Sequence, residues 1–386
     1  VRDRQGPEGF GADHLPYGVF SPPGGGPRVG VRYADRVVDL AAATGLPALA
    51  TGSLDALLAL GPSGWAQVRE QAALAVADAG VPAYDVATVA LHAPFTVGDY
   101  VDFYASEHHA RNAAAVLRPD APALPPAWRH LPIGYHGRAQ TVVPSGTPVV
   151  RPVGQGRPPA DGDGTPAFGP TRRLDLEAEL GFVVGAGSAL GERVAVDAFA
   201  DHVFGVVGLN DWSARDLQGW EMAPLGPFLG KSFATSVSLW VTPLAALTGA
   251  WTDLPGQDPT PLPYLRSADG STPRGLDVAV EVVLDGEVLS RPPYASTYWA
   301  PAQMLAHLTV NGASVRPGDL FASGTISGPG EDQLGSLLEM STHGRGFLED
   351  GQEVVLRYSA PGPAGGRITL GEVRGRVQPA RHVGDT

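Results

Sequence analysis

The chain predicts a mainly β protein of the α+β class, and three observations carry that reading. Short stretches rich in β-branched and aromatic residues recur along most of its length. The 51 glycines and 37 prolines fall between those stretches, where turns belong, so they read as punctuation and not as disorder. Asp285-Gly286, set between LDVAVEVVL and EVLS, has the composition of a two-residue hairpin turn.

In chain order, LPYGVF (15–20) and RVGVRYADRVVDL (28–40), joined by SPPGGG, read as strands of a small β unit. LDALLALG (54–61) and GWAQVREQAALAVADAG (64–80) read as helices. The second carries Val68, Ala72, Leu74 and Val76 at roughly helical spacing, with Gly80 as its stop. After PAYDVATVALHAPF (82–95) the texture changes, which predicts a boundary near Pro94 between a domain of residues 1–94 and one of 95–386. Beyond it, 141–152, 175–185, 204–211, 237–243, 276–286 and 352–362 read as strands. Helices are expected to be few there. One starts from Ser106 as N-cap and runs to about Leu117; another runs from Pro301 to about Thr309, ahead of Asn311-Gly312. The Pro/Gly-rich stretches 155–170 and 256–275 read as long loops.

Composition excludes several function classes. A net charge of −13 argues against a nucleic-acid partner. No run of about twenty apolar residues is present, so no membrane-spanning helix is expected. The opening residues, VRDRQGPEGFGADHLPYGVF, lack the apolar core of a signal peptide. With no cysteine there is neither a disulfide framework nor a thiolate metal site, and the expectation is a soluble, cytoplasmic protein.

The acids carry more information. If LDLEAELGFVV is a strand, Leu176, Ala178, Leu180 and Phe182 share one face, and Glu177 and Glu179 stand side by side on the other, about 7 Å apart. Such a pair is either the exposed face of an edge strand or a site for a cation. Asp211 ends the apolar strand FGVVGLND, and Asp102 lies in the aromatic GDYVDFY. Acids at the ends of buried strands are costly to desolvate unless paired or coordinated. Four oxygen donors without cysteine select a hard cation such as Mg²⁺ or Ca²⁺. Lys231 is the only lysine in the chain, either a snorkelling side chain near a strand end or a cation placed where the planar fork of Arg would not serve. His109, early in the helix after Asp102, is either a surface side chain or a general base; His108, His130 and His136 are weaker candidates. Glu339 follows the small-residue loop SGTISG and is placed to orient such a base.

Taken in order, LPYGVF, GDYVDFY, LPIGYHGRA, SGTPVVRP, LDLEAELGF, NDWSARD, PLGPFLGKSF, RPGDLFASGTISG and GSLLE resemble the fumarylacetoacetase family over nearly the whole chain, in its full-length form with an N-terminal domain. The resemblance implies a small SH3-like β domain followed by a large β-roll domain, in a homodimer. It implies hydrolysis of a carbon–carbon bond in a diketo acid, with Mg²⁺ or Ca²⁺ as cofactor. Asp102, Glu177, Glu179 and Asp211 match the metal ligands, and Lys231 and Thr235 complete that environment. His109 matches the base and Glu339 the acid that orients it. Lys231, Arg215 and Gln218 match the groups that stabilise the oxyanion and the departing carbanion. Tyr104, Arg118, Tyr135, Gln218 and Thr325 match residues that hold substrate. Met222 stands where the family usually has a tyrosine, and a thioether has no phenolic proton to donate. Two other readings fit the same residues: an acylpyruvate or fumarylpyruvate hydrolase or decarboxylase of the same superfamily, and a non-catalytic, cation-dependent β-sandwich binding protein.

Overall fold

The computed structural model of the chain describes residues 9–120 and 122–381; the first eight residues of the polar N-terminal stretch lie outside the described residues. The first unit holds β1 (Tyr17–Ser21), β2 (Arg28–Tyr33), β3 (Arg36–Asp39), β4 (Ala83–Asp85) and β5 (Ala90–His92). They form an antiparallel sheet in the order β4-β3-β2-β1-β5. Between β3 and β4 lie α1 (Leu40–Thr44), α2 (Asp55–Leu58) and α3 (Gly61–Ala75). The first expected helix, 54–61, is cut to the single turn of α2, and the second starts earlier, at Gly61, and ends at Ala75, so Gly80 is not its stop. Val68, Ala72 and Ala75 form its buried face, whereas Leu74, expected on that face, is 72% exposed. Spacings of four and three residues set the stripe, and position 74 falls outside it.

The larger part is built on two sheets. One contains β6 (Tyr100–Phe103), β7 (Gly134–His136), β8 (Val142–Pro144), β13 (Ala178–Val184), β14 (Val203–Asp211), β16 (Thr235–Val237), β17 (Thr242–Pro243) and β22 (Leu320–Ala322). Its order is β7-β6-β22-β13-β14-β16-β8, with β17 also on β14. The other contains β9 (Val149–Val150), β20 (Ala279–Leu284), β21 (Glu287–Ser290), β23 (Glu353–Pro361), β24 (Arg367–Thr369) and β25 (Val373–Gln378) in the order β21-β20-β23-β25-β9, with β24 on β23. Small pairs complete the strands: β10 (Val153–Gly156) with β11 (Ala167–Pro170), β12 (Leu174–Asp175) with β15 (Ser213–Ala214), and β18 (Trp251–Thr252) with β19 (Gly275–Leu276). The remaining helices among the described residues are α4 (Glu107–Leu117), α5 (Phe199–His202), α6 (Arg215–Glu221), α7 (Pro301–Thr309) and α8 (Leu337–Met340). The fold is mainly β with few helices, as predicted.

The caps of α4 and the span of α7 match their expected bounds. Asp285 and Gly286 both take positive φ, 50° and 89°, as a type I′ hairpin turn requires. Elsewhere the sequence reading is corrected. Residues 155–170, read as one loop, hold the end of β10 and the whole of β11, which pairs back on β10. Residues 141–152 divide between β8 and β9, which belong to different sheets, and 175–185 breaks between β12 and β13. Alternation alone does not reveal where a strand leaves one sheet for another.

Period-two geometry sorts the eight-stranded sheet into two faces. Leu176, Ala178, Leu180 and Phe182 all enter the main core, where the Phe182 ring stacks on Phe321 at 5.1 Å. The Tyr358 hydroxyl of β23 ties the two sheets together, donating to the Leu209 carbonyl (3.0 Å) and accepting from its amide (3.2 Å). Gly208 is required there, because a Cβ would collide with the Tyr358 ring. On the opposite face, Tyr100, Val183, Val207, Leu209, Val237, Leu320 and Ala322 pack with Leu15, Tyr17, Val31, Leu57 and Val68 of the first unit. Followed along the strands, that same face turns from apolar to acidic: Tyr100 gives way to Asp102, Val183 to Glu179, and Leu209 to Asp211.

Candidate active site

Strand pairing gathers the four acids. β6 runs parallel to β22, β22 pairs with β13, and β13 pairs with β14, so Asp102, Glu179 and Asp211 arrive on neighbouring strands and Glu177 just ahead of β13. One oxygen from each lies within 4.8 Å of every other. All four are buried, so the alternative of an exposed edge strand does not hold. Both Glu179 oxygens and Asp102 Oδ1 are buried without a hydrogen-bond partner. Burial, followed by repulsion from the other acids, pushes the carboxyls of Glu179 and Asp102 well above their ordinary range. Orphaned buried acceptors of this kind are expensive, about 1–3 kcal/mol each or more when charged. An all-oxygen set of buried acids fits a hard divalent cation, which would satisfy those atoms.

Lys231 is buried, not snorkelling. Its ammonium donates to Asp211 Oδ2 at 2.8 Å and to Glu177 Oε2. Burial opposes its charge, but Asp211 and Glu177 outweigh burial and hold it above the usual lysine range. Thr235 Oγ1 and the Tyr135 hydroxyl donate to the two oxygens of Asp211, at 2.8 and 3.0 Å. Burial likewise opposes ionisation of Glu177, yet Arg215, Lys231 and His109 outweigh it and keep that carboxyl well below the usual range. Gly230, beside Lys231, lies so close to the Gln218 backbone that a Cβ would stand 2.7 Å from its nitrogen. Only glycine lets the lysine loop lie against α6.

Ser106 caps α4 by accepting from the His109 amide at 3.2 Å, which fixes His109 at the third helical position. The His109 ring is buried, with Nδ1 2.8 Å from Glu339 Oε2 and Nε2 3.8 Å from Glu177 Oε1. A carboxylate only accepts, so Nδ1 presents its proton to Glu339 and Nε2 is the ring nitrogen turned toward Glu177. Glu339 also accepts from Ser327 Oγ (2.9 Å), Ser336 Oγ (2.8 Å) and Asn112 Nδ2 (3.0 Å). Burial opposes its ionisation, but His109 and these donors hold its carboxyl below the ordinary value. His130 and His136 are exposed and stand apart from this arrangement.

A cavity of about 1170 Å³ opens over the cluster. His109, Glu177, Arg215, Gln218 and Lys231 line it, as do the expected substrate-holding residues Tyr104, Arg118, Tyr135, Met222 and Thr325. Thr325 Oγ1 is buried with no protein partner, a donor left over for a bound molecule. The Arg215 guanidinium reaches Glu177 Oε1 (2.6 Å) and Gln218 Oε1 (3.2 Å), so the Gln218 carbonyl is occupied and its amide nitrogen remains to donate.

The residues 100–378 match the family model described as fumarylacetoacetate (FAA) hydrolase, C-terminal, and residues 13–87 match fumarylacetoacetase, N-terminal. The chain is 42% identical to fumarylacetoacetase of Homo sapiens over 410 residues, covering 96% of each chain. It belongs to the fumarylacetoacetase family. Fumarylacetoacetase of Arabidopsis thaliana is 40% identical, again over 96% of both chains. Among solved structures, fumarylacetoacetate hydrolase from Exiguobacterium antarcticum superposes with a TM-score of 0.58 at 19% identity, covering 95% of this chain and 100% of the other. Maleylpyruvate hydrolase from Sphingobium sp. SYK-6 gives 0.55 at 17%, over 95% and 100%; these likenesses concern the fold.

Sequence reasoning passed over the supports of the family site. Ser336 was within reach, since Ser-x-x-Glu in GSLLE is a helix-start signature. Asn112, one helical turn beyond His109, follows from the 3.6-residue repeat. Asp175 shares the parity of Glu177 and Glu179, so the same alternation that found those acids points to it.

Proposed function

We infer that the enzyme hydrolyses the carbon–carbon bond of 4-fumarylacetoacetate to fumarate and acetoacetate, the closing step of tyrosine and phenylalanine breakdown. One observation carries the reading beyond kinship: His109, held by Glu339 through Nδ1, turns Nε2 toward the carboxylate cluster in the same cavity.

His109, oriented by Glu339, takes a proton from water at Nε2. The hydroxyl adds to the carbonyl carbon that ends in fumarate, and the bond to the adjacent carbon breaks. The electron pair of that bond passes to the acetoacetate fragment as an enolate, which accepts a proton at carbon. The Lys231 ammonium, Arg215 and the Gln218 amide nitrogen face the negative charge that develops on oxygen, the point at which preorganised charge contributes most. Tyr104, Arg118, Tyr135 and Thr325 hold the diketo acid, with Met222 making an apolar contact. Asp102, Glu177, Glu179 and Asp211, with Lys231 and Thr235 around them, would hold Mg²⁺ or Ca²⁺, which as a Lewis acid polarises the diketone oxygens. We also read the five-stranded unit, residues 1–94, as SH3-like, residues 95–386 as the catalytic β-roll, and the enzyme as a cytoplasmic homodimer. No helix among the described residues is long and apolar enough to cross a membrane.

Loss of fumarylacetoacetate absorbance, followed with and without chelator, tests this function. Hydrolysis is expected to fall to background once metal content has dropped and to return with Mg²⁺ or Ca²⁺. Full activity in verified metal-free enzyme refutes the metal's part. Met222 favours one second reading, an acylpyruvate or fumarylpyruvate hydrolase; faster turnover of acylpyruvates than of fumarylacetoacetate in the same assay would establish it.

A further inference from the structure

Asp175, at the end of β12, is wholly buried and does not line the cavity. Its two oxygens nevertheless hold both halves of the catalytic apparatus. Oδ2 accepts from Arg215 Nε at 2.8 Å and from the Leu338 amide at 2.9 Å. Oδ1 accepts from the Leu337 amide and from the neighbouring Leu176 amide, both at 2.7 Å. Leu337 and Leu338 open α8, the single turn that carries Glu339. Arg215 in turn bridges to Glu177 and Gln218.

We propose that Asp175 is a positioning residue for the hydrolysis, one carboxylate that sets Arg215 and the Glu339 turn at a fixed separation. The inference rests on the function given above. Its physical basis is the division of Arg215 between two anions. The guanidinium is a rigid planar fork, so its Nε edge and its Nη2 end cannot adjust independently. With Asp175 Oδ2 on Nε, the fork sits where Nη1 also meets the Gln218 carbonyl. Removing that anion leaves Glu177 as the only acid on the guanidinium, which draws the fork toward it and releases Gln218. The same removal frees two amides at the start of α8 and with them the register of Glu339 against His109. A neutral side chain of equal shape presents one carbonyl oxygen where two carboxylate oxygens now act, and turns an amide donor toward Arg215 or toward the α8 amides.

Asp175→Asn in the full-length enzyme is the test. Turnover per folded molecule is expected to fall at least tenfold with KM within about threefold, because Tyr104, Arg118, Tyr135 and Thr325, which Asp175 does not touch, still line the cavity. A crystal structure of the variant is expected to show Arg215 displaced from Gln218 or Glu339 displaced from His109. A variant with a lower melting temperature but wild-type kcat makes Asp175 merely structural and overturns the proposal. So does lost turnover with Arg215 and Glu339 unmoved. If the Asn variant does not fold, Asp175→Glu keeps the charge and moves the carboxylate by one methylene. A tenfold loss of kcat in that variant supports the proposal, and wild-type kcat overturns it. Wild-type enzyme inactive on fumarylacetoacetate would refute the function instead, while the crystallographic comparison would still decide the role of Asp175.

Discussion

The two ends of one face of the eight-stranded sheet share their strands, their register and their burial, yet differ in chemistry. Toward one end Val183, Val207, Leu209 and Leu320 lie under the N-terminal unit. Toward the other, two positions further along β6 and β14 and four along β13, stand Asp102, Asp211 and Glu179. The apolar end gains free energy from burial, about 25 cal/mol per Å² removed from water. The acidic end loses it, because like charges are held together away from solvent. A rigid apolar half thus maintains a half that would not assemble alone. The N-terminal unit, remote from the chemistry, contributes by covering the end of the sheet that supplies this stability.

That contrast can be broken from either side. His109→Ala is expected to have the largest effect, a fall in kcat of about 100-fold or more with metal content and melting temperature little changed. Near-normal turnover would remove His109 from the mechanism. Lys231→Arg comes next, about tenfold or more in kcat, because a planar fork does not fit the position of a compact ammonium between Asp211 and Glu177. Full activity in that variant would show that charge alone matters. At the apolar end, Val207→Ala is expected to cost about 1.5–2 kcal/mol of stability, read from denaturant unfolding, while kcat at 25 °C stays at wild type. A loss of turnover without a loss of stability there would mean the two ends are not separable. The smallest effect is expected from Met222→Tyr. It restores a phenol at the cavity wall and should lower KM for fumarylacetoacetate by a few fold with kcat unchanged, as a single added contact would. An unchanged KM would show that this wall does not touch substrate.

Much of this was legible in the sequence because it depends on alternation and on local caps. Period two placed Glu177 and Glu179 opposite Leu176, Ala178 and Leu180, and Ser106 marked the start of the helix that holds His109. Convergence of Asp102 with these acids was not legible by the same logic. It depends on β22 from far down the chain inserting between β6 and β13, a non-local pairing that leaves no trace in either segment. The occupancy of Arg215 was hidden for a related reason. Its partners Asp175 and Glu177 precede it by about forty residues and meet it only through the β12–β15 pair. Short helices such as α6 and α8 escape pattern reading because one or two turns contain too few positions to establish a period.

The solitary lysine has a practical corollary. In the native protein the only ε-amine of the chain is buried between two carboxylates and held protonated, so it is a poor nucleophile. Amine-directed reagents have no exposed ε-amine to compete for them among the 386 residues, since the other basic side chains of the Lys/Arg class are arginines. Acylation of that nitrogen, or a cut by a lysine-specific protease at that one bond, therefore registers opening of the buried acidic cluster around Asp211 and Glu177. The molecule carries a built-in single-site reporter of its own unfolding.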